Sequence, residues 1–112
     1  MLVISRFRYP EAADGSGPLD TAEVELGACL EQLSHQRGYV DGVVGRALDD
    51  PTCWVLQTRW RDVGSYRRTL SSYEIRMHVV PLLARAIDEP SAYEVVIGDG
   101  ATPPNVARPR QT

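Results

Sequence analysis

Residues 53–87, CWVLQTRWRDVGSYRRTLSSYEIRMHVVPLLARAI, gather most of the side chains in this chain that could do chemistry. His78 is the natural candidate for a general base, because an imidazole titrates near neutrality. Tyr66 and Tyr73 can each donate a hydrogen bond to an oxyanion. Trp60 offers a ring face against which a flat molecule could stack. Arg59, or Arg46 from the segment before, could bring positive charge if its side chain turns inward. The same residue types also build ordinary cores. Trp54 and Trp60 on one strand face suit packing as well as binding. His78, set among Ile75, Val79 and Leu82, could equally sit hydrogen-bonded at a core edge.

Composition removes several classes of function. All twelve basic residues are arginine, so neither Schiff-base nor phosphate-loop lysine chemistry is open to the chain. The net charge of −3 and the lack of a basic run argue against nucleic acid. The paired arginines Arg6/Arg8, Arg59/Arg61 and Arg67/Arg68 read chiefly as solvated faces. Cys29 and Cys53 stand apart, with no zinc-like spacing, and His35 and His78 are distant from each other. No metal site is expected, and both thiols read as free and buried. No apolar run approaches the ~20 residues of a membrane span, and no secretory leader is recognisable at the start. A cytoplasmic protein without membrane contact is the expectation.

The elements that must position these groups follow from periodicity. Residues 2–9 alternate, with Val3, Ser5, Phe7 and Tyr9 on one strand face. Ser5 is the one polar side chain on that face. A turn-rich loop covers 11–19, and Asp20-Thr21-Ala22-Glu23 resembles a capping box opening a helix to about Gln36. Ala22, Leu26, Cys29, Leu30 and Leu33 fall on one face of it, and Gly38 follows as a left-handed cap. A strand over about 39–47 and another from Cys53 form a hairpin through Asp49-Asp50-Pro51-Thr52. In the second of these, Trp54, Leu56, Thr58 and Trp60 share one face. Asp62 caps a second helical region running to about Ile87. It breaks near 70–72, restarts through a Ser71-x-x-Glu74 capping box, and is disturbed again by Pro81. A last strand covers 92–97. Residues 1–98 are thus one domain, and 99–112, rich in proline, form a tail.

Strand, helix, strand, strand, helix, strand is the split βαβ repeat of a ferredoxin-like α+β domain, with both helices on one face of an antiparallel sheet. Both parities of the strands carry apolar residues (Leu2 and Ile4 against Val3 and Phe7, Val55 against Leu56). The helix-free face therefore needs a cover, and a second copy, giving a homodimer, is the simplest.

The pattern W-x-L-x-T-x-W-x-D from Trp54, followed by Tyr66, Leu70 and His78, resembles the antibiotic biosynthesis monooxygenase domain, a family of dimeric α+β barrels. RGYVDGVVGRALDDPTCWVLQTRW carries the likeness too, and it spans about residues 1–97. The resemblance implies oxygenation of a quinol- or polyketide-like aromatic molecule without a cofactor. His78, Tyr66 and Trp60 would then be catalytic, and Ser5, Phe7, Thr58, Tyr73 and Arg59 would line the substrate. Another branch of the family degrades heme with an Asn, a Trp and a His. By this resemblance Ser5 falls where the Asn would be, Thr69 falls near the place of the Trp, and His78 lies within one position of the His. The alternatives are a non-catalytic binder of heme or another flat hydrophobic ligand, and a structural dimerisation domain.

Overall fold

A computed structural model describes residues 1–10 and 18–99. Its elements are β1 (Leu2–Arg8), α1 (Pro18–Ser34), β2 (Tyr39–Arg46), β3 (Cys53–Trp60), α2 (Val63–Ser71), α3 (Tyr73–His78), α4 (Val80–Leu83) and β4 (Ala92–Tyr93). The strands form one antiparallel sheet in the order β2-β3-β1-β4. This is the ferredoxin-like α+β arrangement, with the helices packed on one side.

Alternation decides which face is buried. On β3, Trp54, Leu56, Thr58 and Trp60 are all buried, and on β1 so are Val3, Ser5 and Phe7. Register places Phe7 opposite Trp54, Ser5 opposite Leu56 and Val3 opposite Thr58, so both sets share the helical face. Against them α1 lays Ala22, Leu26, Cys29 and Leu33. Their spacing of three and four keeps them on one stripe. Ile75 of α3 and Val79 complete the core.

The helix α1 begins at Pro18 rather than at Asp20 and ends at Ser34 rather than Gln36. The loop expected over 11–17, the capping contact expected of Asp20 and the tail from 100 onward lie outside the described residues. Gly38 does adopt a left-handed φ of 92°, but four residues beyond the helix end it serves a close approach. A Cβ there would lie 2.3 Å from the Ser65 Cβ. Only glycine lets α2 seat against this turn.

The second helical region is in three pieces. Asp62 caps α2 as the sequence suggests, its Oδ1 accepting from the Ser65 N–H at 2.7 Å. The expected capping box at Ser71 does not form. Ser72 is the residue that leaves the helical conformation, and no side chain caps α3. The Ser71 and Ser72 hydroxyls instead donate back to the Arg67 and Thr69 carbonyls, at 3.1 and 3.0 Å. Such bonds satisfy the end of α2 and leave the start of α3 unaided. A second break at Val79 sits just ahead of Pro81, whose ring cannot continue a helix through it. Helix ends at Leu83, not at Ile87, and β4 stops at Tyr93, short of Ile97.

Candidate functional site

The stretch after α4 builds a concavity against β1. β4 pairs only with Leu2 and Val3, leaving the outer edge of β1 open beyond them. Residues 87–91 close that edge as a strap. Ile87 N–H donates to the Arg6 carbonyl at 2.8 Å, and Ile4 N–H donates to the Ser91 carbonyl at 2.7 Å. Between these two fastenings Glu89 accepts from Arg6 through both carboxylate oxygens, each at 2.7 Å. The guanidinium holds the Glu89 carboxyl below its ordinary range.

Strap, strand and α2 border a half-open cavity of about 330 Å³. Ser5 and Tyr66 line it with Leu83, Ile87, Asp88 and Ser91. Ser5 is only 6% exposed, and its hydroxyl has no hydrogen-bond partner among the described residues. The Tyr66 hydroxyl has none there either. Burial pushes the Tyr66 phenol above its ordinary pKa, with the Cys29 thiol a smaller cause. It therefore stays protonated at neutral pH and is free to donate. Neither hydroxyl is sealed from solvent; both residues line the cavity and can offer hydrogen bonds to a ligand's oxygens.

Trp60 stands behind Tyr66 rather than in the cavity wall. It is fully buried, with Tyr66 tilted against it at 5.4 Å between centroids and Tyr39 edge-on at 5.6 Å. Its Nε1–H donates to Thr58 Oγ1 at 2.9 Å, so the Thr58 hydroxyl is engaged inside the core. Tyr66 is thus the ring that meets the cavity, and Trp60 fixes where that ring lies. Trp54 differs: its Nε1 has no acceptor among the described residues, and Arg46 stacks over the ring at 5.7 Å. Phe7 is sealed in the core.

The structure does not bring the remaining expected residues to this cavity. Arg59 lies on the helix-free face in a bidentate pair with Asp41, its shortest contact 2.8 Å. Tyr73, on the first turn of α3, is 70% exposed. His78 belongs to a different concavity, an open groove of about 360 Å³ lined by Glu25, Ala28, Pro81, Leu82 and Arg85. Its Nε2 lies 3.6 Å from Glu74, one turn earlier on α3. In that groove Glu25 accepts from the Tyr9 hydroxyl at 2.9 Å and from Arg85 at 3.2 Å, and Arg85 stacks over the Tyr9 ring. Asp88, Ile87 and Ser91, which do line the cavity, were hidden by reading helix through to Ile87. The breaker Glu89-Pro90 directly after Asp88 was the available signal for a shaped loop there.

No protein-family model matches the sequence, and no curated protein matches it. Solved structures do. SnoaB, a cofactor-independent oxygenase from Streptomyces nogalater, superimposes with a TM-score of 0.63 over 85% of this chain and 94% of its own, at 20% identity. The chain has the fold of the antibiotic biosynthesis monooxygenases. A protein solved under that name aligns at a TM-score of 0.59 over 85% of this chain and 99% of its own, at 20% identity. Rv0793 from Mycobacterium tuberculosis aligns at 0.58 over 81% of this chain and 86% of its own, at 18% identity. Identities this low carry the architecture and leave chemistry to the site itself. Among the described residues, no helix of this monooxygenase-like fold is long and apolar enough to cross a membrane.

Proposed function

We propose that the chain is a cofactor-independent monooxygenase acting on a small aromatic molecule of quinol or polyketide type, bound in the cavity beside β1. The observation that carries this reading is the pair of unengaged hydroxyls, Ser5 and Tyr66, in a cavity of about 330 Å³. The fold shared with a cofactor-independent oxygenase supports it. Dioxygen accepts electrons one at a time, so the substrate must be made into an electron-rich anion. Hydrogen bonds aimed at the developing oxyanion lower that barrier. Tyr66, kept neutral by burial, donates one, and Ser5 donates a second. Leu83 and Ile87 supply an apolar side against which a ring could lie.

Oxygen uptake over a panel of hydroxyanthrones and quinols tests the reading. Consumption above the autoxidation rate is expected, falling by about 100-fold in Tyr66→Phe, the usual effect of removing one oxyanion donor. A panel with no protein-dependent uptake would reject it.

The working unit in this reading is a two-fold dimer joined through the helix-free sheet face. Leu2, Ile4 and Val55 lie on that face, and Val43 and Tyr93 stand exposed on it. Sedimentation equilibrium should return twice the chain mass, and Val43→Glu should halve it. Both cysteines are free, which suits work in the reducing cytoplasm.

A further inference from the structure

We infer that Asp88 is the catalytic base of the cavity beside β1; the inference rests on reading that cavity as the oxygenase site. Among the described residues, three titratable side chains line it: Tyr66, Asp88 and Glu89. Tyr66 is held as a neutral donor and cannot accept the proton. Glu89 presents both oxygens to Arg6 at 2.7 Å, and the same guanidinium weakens it as a base. Asp88 has no hydrogen bond or ion pair among the described residues. His78 opens into the other groove, beside Glu25, Glu74 and Arg85.

The backbone fixes Asp88 on both sides although its side chain reaches solvent. Ile87 before it is bonded to the Arg6 carbonyl, and Glu89 after it is clamped by the Arg6 side chain. The backbone that carries the carboxylate is therefore held at the mouth of a cavity that Ser5, 6% exposed and without a hydrogen-bond partner among the described residues, also lines. Positioning of this kind is what general-base catalysis needs.

The reaction balances with dioxygen as the oxidant. Asp88 takes a proton from the acidic methylene of an anthrone-type substrate, and Tyr66 and Ser5 hold the enolate oxygen. The anion passes one electron to O₂, and the substrate radical and superoxide combine to form a carbon–oxygen bond. Asp88 returns its proton to the peroxide. Loss of water, with cleavage of the O–O bond and departure of the remaining C–H proton, leaves the carbonyl. One methylene and one O₂ thus become one ketone and one water. A carboxylate at the mouth also narrows the substrate class: the molecule that enters carries no negative charge, because a substrate carboxylate would be repelled by Asp88.

The decisive experiment separates proton removal from oxygenation. Under nitrogen in heavy water, the protein should accelerate deuterium uptake at the methylene of dihydroxyanthrone, followed by NMR. Asp88→Asn should slow that exchange by at least about 100-fold, while His78→Gln leaves it unchanged. Binding of dihydroxyanthraquinone, read by tryptophan fluorescence, should be the same in Asp88→Asn as in the parent. Exchange at the parental rate in Asp88→Asn, or its loss in His78→Gln, overturns the assignment. Asp88-dependent exchange without oxygen consumption would overturn the oxygenase reading and leave the base standing. A parent protein that neither exchanges the methylene nor binds the quinone overturns both.

Discussion

The cavity beside β1 and the groove between α1 and α3–α4 are of similar size, about 330 and 360 Å³, yet they differ in how many of their polar groups are engaged. In the groove, Glu25 holds both the Tyr9 hydroxyl and Arg85, and Arg85 lies on the Tyr9 ring. Those atoms are occupied in tying α1 to the end of β1 and to the chain after α4. In the cavity, Ser5, Tyr66 and Asp88 face open space with nothing to hold. Hydrogen-bonding groups that already have partners are committed to architecture, and groups left without them are available to a ligand. The histidine that looked most catalytic in the sequence sits in the first kind of place.

The comparison can be broken by mutation. Trp60→Ala should have the largest effect, a loss of about 3–5 kcal/mol in urea unfolding, because a fully buried indole leaves a hole. Tyr66 would lose its backing at the same time, so ligand binding in the cavity should fall as well. A smaller cost is expected in the groove. Glu25→Ala strands the buried Tyr9 hydroxyl and should cost about 1–3 kcal/mol. A value near zero would mean that the groove is not the structural knot described above.

A pH titration sharpens the same point. Burial, with the Glu25 carboxylate as the second cause, pushes the Tyr9 phenol from 10.0 up to about 12. A raised tyrosine favours the folded state while it stays protonated. The contribution is therefore complete below pH 10 and is lost as pH rises towards about 12. Tyr9→Phe should remove that slope from the unfolding curve. The smallest effects belong to the cavity. Ser5→Ala and Tyr66→Phe delete hydroxyls without protein partners, so each should be nearly neutral in stability. A loss above about 1 kcal/mol in either, the usual worth of one hydrogen bond, would show that the hydroxyl was architectural after all.

How much of this was legible in the sequence depends on what sets each element. β1, β2 and β3 were read to within a residue or so because strict alternation leaves one way to bury Val3, Phe7, Trp54, Leu56 and Trp60. The closeness of Trp60 and Tyr66 was legible as well, since a strand running straight into a capped helix keeps them together. The break before α3 was legible, but its chemistry was not. Serine hydroxyls serve helix starts and helix ends alike, and here they turned to the carbonyls behind them. β4 is short for a register reason. Tyr93 lies opposite Leu2, so pairing of Glu94 onward would run past the first residue of β1. The separation of His78 from Tyr66 was beyond reach. Two breaks reset the axis between and beyond them, and no periodicity survives a reset.

The three-piece form of the second helical region sets how the molecule moves. α1, at 17 residues, is long enough to hold most of its own ladder, whereas α2, α3 and α4 have 9, 6 and 4 residues. None of these three reaches the length at which a helix persists by itself. They stay folded only while Ser65, Thr69, Ile75 and Val79 remain seated on the sheet. Amide protons there should exchange before those of α1 and β3, in a local opening well short of global unfolding. Tyr66 rides on the first of those pieces, so the same local opening should reach the wall of the cavity.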